Sequence, residues 1–178
     1  MKYFTPDLLA ECRSPGPEVA EAAAAKWQRR AEAYRRRLQT ICPRLPPGVR
    51  RLLRSVALHD AHLLSTNVAD KRGRKQFFLS FRLSGRGGQA GVQLRYDGVK
   101  RVTVALHDPH AAGDAELFAL YDEFDVLADN TLTHSLLLTG GVEIRVRFAT
   151  LALTPFTRVV APGRGRLDIK ELAEAAAS

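Results

Sequence analysis

Four of the five histidines stand in two nearly identical strings, VALHDAH at residues 56–62 and VALHDPH at 104–110. Neutral imidazole beside a carboxylate can hold Zn²⁺ or a similar ion. His59, Asp60 and His62 are therefore the metal-ligand candidates. In a helix His59 and His62 share a face at i, i+3; in a strand they point to opposite faces. The first string follows a helix and enters a strand, and neither copy has the H-E-x-x-H spacing of a zinc signature. The competing role is structural, with the Asp side chain capping a local turn. No cofactor is implied.

Other chemistry is sparse. No G-x-S-x-G elbow is present, and Gly85-Arg86-Gly87-Gly88 lacks the Lys-Ser/Thr pair of a phosphate-binding loop. Cys12 and Cys42 lie at helix ends with no histidine close in sequence, and two cysteines make no disulfide framework. Asp122, Glu123 and Asp125 can bind a cation or work as acid and base, although such carboxylates more often form a solvated strand face or pair with arginines. No nucleophile, base and orienting group stand together, so the chain reads as a non-enzyme.

Charge suggests a partner instead. The net charge is +8, and residues 1–54 hold 12 Lys/Arg against 5 Asp/Glu, whereas residues 116–154 hold 2 against 6. Arg29, Arg30, Arg36 and Arg37, with Arg50, Arg51 and Arg54, are the candidate polyanion contacts, since clustered arginines bind phosphates. No aromatic residue interleaves with them on the outer helical face, and no helix-turn-helix or RNA-stacking pattern appears. A protein partner is thus the leading expectation and nucleic acid the alternative, with a metal-dependent enzyme third. No run approaches the roughly 18 apolar residues of a membrane span, and MKYFTPDLLAEC has no apolar leader, so a cytoplasmic, non-membrane protein is expected.

The elements that must position these residues follow from local patterns. Thr5-Pro6-Asp7 starts a helix that should stop near Ser14–Pro17. A long helix from about 18 to 41 carries the stripe Ala20, Ala24, Trp27, Ala31, Tyr34, Leu38 and Ile41, with Arg29, Arg30, Arg36 and Arg37 facing out and Glu32 placed to pair with Arg36. Pro47 opens a third helix whose face is Val49, Leu52, Leu53 and Val56. Strands follow. Phe77, Leu79 and Phe81 alternate with Phe78, Ser80 and Arg82, and Val92, Leu94 and Tyr96 alternate with Gln93 and Arg95. Asp97-Gly98 predicts a hairpin to Val102, Val104 and Leu106, and Gly140-Gly141 predicts one between residues 134–138 and 142–148. Residues 114–128 fit either element; strand over 118–127 is preferred because strands flank it.

MKYFTPDLL, LHDAHLLS, LYDEFDVL and HSLLLTGGVEIRVRF together resemble a family of uncharacterised bacterial proteins. The resemblance implies a short cytoplasmic protein with a helical front and a β-rich back, and no particular activity. It also implies that His59-Asp60 lies at the entrance to the first strand. The resulting expectation is an α+β protein: a basic helical layer over 1–55, an antiparallel β-sheet of about six strands within 56–160 packed with it as one unit, and a linker and short helix over 161–178.

Overall fold

Local capping explains the first helix of the computed structural model, which describes residues 1–84, 90–107 and 116–157. Thr5 Oγ1 accepts from the Leu8 N–H, Pro6 takes the first helical position, and α1 runs Pro6–Cys12. Helix α2 spans Pro17–Ile41, a short 3₁₀ turn covers Cys42–Arg44, and α3 spans Pro47–Ser55. The α2 stripe is buried at Tyr34 and Ile41 and half-buried at Ala20, Trp27, Ala31 and Leu38; Ala24 is exposed and Ala23 takes its place inside. No described helix is long and apolar enough to cross a membrane. Cys12 and Cys42 are free thiols.

Eight strands follow: β1 His62–Lys71, β2 Arg74–Arg82, β3 Gly91–Asp97, β4 Arg101–Leu106, β5 Ala119–Val126, β6 Leu132–Leu138, β7 Val142–Phe148 and β8 Thr150–Phe156. The expected α+β class with antiparallel strands after the helices holds. The strands form two four-stranded sheets rather than one sheet of about six: sheet I in the order β1-β2-β3-β8 and sheet II in the order β4-β7-β6-β5. The hairpin expected at Asp97-Gly98 is a corner instead. Gly98 has the positive φ (+63°) that the dipeptide predicts, but β3 pairs with β8 while β4 pairs with β7. The β3–β4 and β7–β8 segments thus bend together from one sheet into the other. Gly140 (φ +71°) and Gly141 (φ +67°) do close the β6–β7 hairpin, and residues 119–126 are strand. A further hairpin, turning at Arg72 (φ +57°) and Gly73 (φ +73°), joins β1 to β2.

The sheets face each other across one core. Phe77, Leu79 and Phe81 of β2 and Leu94 and Tyr96 of β3 join Leu136, Ile144, Val146 and Phe148 of sheet II, and Ile41, Val49 and Leu52 extend the same cluster into the helices. The segment before β5 ties the sheets on the other side: Leu63 N–H donates to Leu117 O and Ala119 N–H to Ala61 O. The predicted linker and helix over 161–178 and the loop at Gly85–Gly88 lie outside the described residues.

Candidate functional site

His59 and Asp60 form the turn between α3 and β1. Asp60 adopts a left-handed conformation (φ +61°) that Asp tolerates; its N–H donates to Ala119 O at 2.7 Å, and its carbonyl accepts from Ser84 Oγ. His59 Nδ1 lies 2.9 Å from Asp60 Oδ2, and both side chains are exposed. His62 has other partners. Arg82 donates to His62 Nδ1 at 2.8 Å, the ring stacks on Phe118 at 5.1 Å, and Nε2 is 4.0 Å from Glu116. Burial, with the Arg82 charge added, holds the His62 imidazolium below its ordinary range against the opposing pull of Glu116. A ring nitrogen that accepts a guanidinium N–H has no lone pair left for a metal. The sequence trio is thus split between two sets of contacts. Among the described residues no three His, Cys, Asp or Glu side chains are grouped to hold an ion. His107 of the second string sits 3.1 Å from Glu143 Oε2, and residues 108–110 lie outside the described residues.

The acidic strand β5 is not a solvated face. Tyr121, Glu123 and Asp125 point away from the core, under the N-terminal segment and α2. Glu123 is 7% exposed and accepts the N–H groups of Lys2, Tyr3 and Phe4 at 2.8, 2.7 and 2.6 Å. Phe4 stacks on Tyr121 at 5.1 Å and meets Trp27 and Tyr34 at 5.8 and 5.7 Å. The Tyr34 hydroxyl accepts the Phe124 N–H at 2.6 Å; burial first, then the Asp122 charge, pushes that phenol far above its usual range. On β7, Glu143 accepts from the Met1 amino group at 2.6 Å and from Arg145 at 2.8 Å. Burial works to raise the Glu143 carboxyl, but the amino group's hydrogen bond and charge, with His107 and Arg145, carry it below the ordinary value.

Inside the core a polar chain crosses between the sheets. Tyr96 Oη and His134 Nδ1 are 2.7 Å apart, His134 Nε2 is 3.4 Å from Asp122 Oδ2, and the imidazole stacks on Phe124 at 3.8 Å. A carboxylate only accepts, so Nε2 carries the hydrogen and Nδ1 accepts from the tyrosine. Burial, then the Asp122 charge, raises the Tyr96 phenol well above its usual range. The order hydroxyl, imidazole, carboxylate matches a nucleophile relay, but Tyr96 and His134 are both 0% exposed, so no substrate reaches the hydroxyl. The chain is a satisfied polar network inside a packed core. Tyr96→Phe leaves Nδ1 without a donor, and we expect a loss of about 1–3 kcal/mol in urea unfolding. A loss below about 0.5 kcal/mol would show that the bond contributes nothing net.

Two of the seven candidate arginines face inward, against expectation. Arg30 donates to Tyr3 O and Thr5 Oγ1 at 3.1 and 3.3 Å. Arg37 binds Asp125 Oδ1 through Nε and Nη2 at 2.9 and 2.5 Å. Glu32, spaced to meet Arg36, accepts from Gln28 instead. Arg50 is half-buried, with its Nε unpartnered, and its carbonyl accepts from Arg54. Arg29, Arg36, Arg51 and Arg54 remain exposed. The strand pattern gathers cations elsewhere. On the outward side of sheet I, Lys71 pairs across from Arg74, Phe78 lies between Asn67 and Arg95, and Arg82 lies between His62 and Gly91. Lys71, Arg74 and Arg95 are exposed, and Asp97, bound by Gln76 and Arg95, is the one carboxylate among these outward strand positions. Among the described residues no helix makes an extensive contact with β1, β2 or β3; the main strand contact of α3 is the β8 edge, and that of α2 is β5 of sheet II. The signals for this face were the string KRGRK at 71–75 and the alternation that sends Phe78, Arg82 and Arg95 outward.

No protein-family model, curated protein or solved structure matches the chain.

Proposed function

We propose that this is a non-enzymatic binding protein that holds an anionic macromolecule on the outer face of sheet I. One observation carries the reading: among the described residues no helix lies over the outer face of sheet I, whereas the acidic β5 side of sheet II is covered. On sheet II the N-terminal segment and α2 lie over β5, and its carboxylates Glu123, Asp125 and Glu143 are engaged with the chain's own N–H groups and cations. Sheet I stays open among the described residues and is cationic, with Lys71, Arg74, Arg82 and Arg95 against Asp97. An antiparallel sheet tolerates water on one face, so openness alone is ordinary. A one-signed charge on that face is what attracts an oppositely charged partner and speeds its encounter. The bacterial, cytoplasmic setting that the sequence resemblance implies belongs to this proposal.

Heparin-column retention tests it. Reversing Lys71, Arg74 and Arg95 to Glu together should shift elution to clearly lower salt than the wild type. Reversing the same number of exposed helical arginines, Arg29, Arg36 and Arg51, should shift it much less. The opposite ranking would return the contact to the helical arginine face, and equal, small shifts would remove both.

A further inference from the structure

We infer that the partner on sheet I is a single-stranded nucleic acid, with its bases stacked on Phe78 and Phe156 and its phosphates on the surrounding arginines. This rests on the reading above and names the class of polymer. Charge by itself suits any polyanion; the groups that lie between the charges distinguish one from another.

Phe78 sits mid-strand in β2, half-buried, flanked across the sheet by Asn67 and Arg95. Its side chain points outward, because its neighbours Phe77 and Leu79 are buried in the core at 1% and 0% exposure. Phe156 ends β8 opposite Gly91. A Cβ built on Gly91 would lie 2.1 Å from the Phe156 ring, so the ring rests on the outer face directly over that glycine. The absent side chain of Gly91 is what admits the ring there. Gln93 and Ser80, joined at 3.4 Å, lie in the row between the two aromatics. The composition is thus aromatic faces, amide and hydroxyl groups, and cations on one sheet face that is open among the described residues.

Each type has a matching part of an unpaired strand. Bases stack on aromatic rings whatever their sequence, amides and hydroxyls meet base edges, and arginines follow the phosphates. Phe78 and Phe156 are four positions apart along the strands and two strands apart across the sheet. Strand rise and spacing put them about 16 Å apart, so they take different bases and cannot clamp one. A duplex hides its base faces inside the stack and would leave both rings unused. An acidic protein would engage the cations and have no need of the aromatic rows.

The test is fluorescence anisotropy of the full chain with a labelled 12-nucleotide oligo-dT, a labelled 12-base-pair duplex, and a salt series for each. Single strand should bind at least about tenfold tighter than duplex, with affinity falling as salt rises. Phe78→Ala and Phe156→Ala should each weaken the single strand roughly ten- to hundredfold. Because Phe78 is half-buried, Phe78→Leu is paired with it: the leucine keeps apolar bulk and removes the π face, and it should weaken binding nearly as much. Equal affinity for duplex and single strand, or full affinity in Phe78→Leu, overturns the inference. Heparin has no bases, so its elution reads the cations independently. Heparin retention sensitive to the sheet I reversals, without single-strand preference, would leave the binding-protein reading standing and point to an acidic protein or a duplex. Loss of both would end the two together.

Discussion

Glu123→Ala should destabilise the fold by about 2–4 kcal/mol, either by leaving buried N–H groups without an acceptor or by releasing the segment that carries them. The carboxylate accepts the N–H groups of Lys2, Tyr3 and Phe4 at 2.6–2.8 Å. Alanine leaves the chain two outcomes. If residues 2–4 stay in place, three N–H groups lose their partner, at about 1–3 kcal/mol for each one kept from water. If the segment lifts off, water satisfies those groups but other contacts go. Phe4 leaves its aromatic cluster with Trp27, Tyr34 and Tyr121, and Arg30 loses Tyr3 O. Burial of a phenylalanine alone contributes about 1.5–3 kcal/mol. Whichever route costs less sets the loss, and neither is small. Trp27 is the one tryptophan and sits 5.8 Å from Phe4, so its fluorescence reports which route is taken. A red shift in the native state marks lifting; an unchanged spectrum with a lowered urea midpoint marks unpaired donors. Glu123→Gln keeps one acceptor oxygen and should lose roughly half as much. A midpoint shift equivalent to less than about 1 kcal/mol in Glu123→Ala would show that the segment is not anchored there.

Features set by near neighbours in sequence were legible, and features set by distant partners were not. Thr5 caps α1 and Gly140-Gly141 closes β6–β7 because each acts within a few residues. Asp97-Gly98 has the right chemistry for a turn, and Gly98 does take the left-handed conformation. A turn signal states that the chain bends; it does not state whether the flanking strands pair, and here each pairs with a later strand. β5 read ambiguously because both its faces are covered. Phe124 and Val126 enter the core while Tyr121 and Glu123 go under the N-terminal segment, so polar and apolar positions do not alternate cleanly. Arg30 and Arg37 lie at the rim of the apolar stripe, and their direction is decided by Tyr3 O and by Asp125, the latter 88 residues away. His134 read as an ordinary strand residue because its partner Tyr96 comes from the other sheet. The aromatic and basic alternation of sheet I was visible strand by strand, but only the register of β1, β2, β3 and β8 puts it on one surface.

Gly48→Ala carries the same lesson with a change of sign. Gly48 is the second residue of α3, and by helix propensity alone alanine there should stabilise by up to about 1 kcal/mol. Its surroundings dictate otherwise. A Cβ at Gly48 would stand 1.7 Å from the Leu151 carbonyl oxygen and 2.7 Å from the carbonyl carbon. Those are backbone atoms of β8, and β8 is held in register with β3 along its length, Leu151 opposite Tyr96. The strand cannot yield without breaking the ladder, so the helix must move. Val49 and Leu52, 0% and 2% exposed in the core, move with it. Overpacking of this kind costs about 1–3 kcal/mol, and partial exposure of two aliphatic side chains adds to it. A net loss of about 3 kcal/mol is therefore expected, larger than the propensity gain and opposite to it. Gly16→Ala is the matched control: its Cβ would meet only Ser14 and Val19 side-chain atoms at 3.7 and 3.8 Å, ordinary contact distances. That variant should change stability by less than about 1 kcal/mol. Urea midpoints of the two variants decide the matter, and a Gly48→Ala midpoint at or above the wild-type value would mean that α3 does not rest on the β8 backbone.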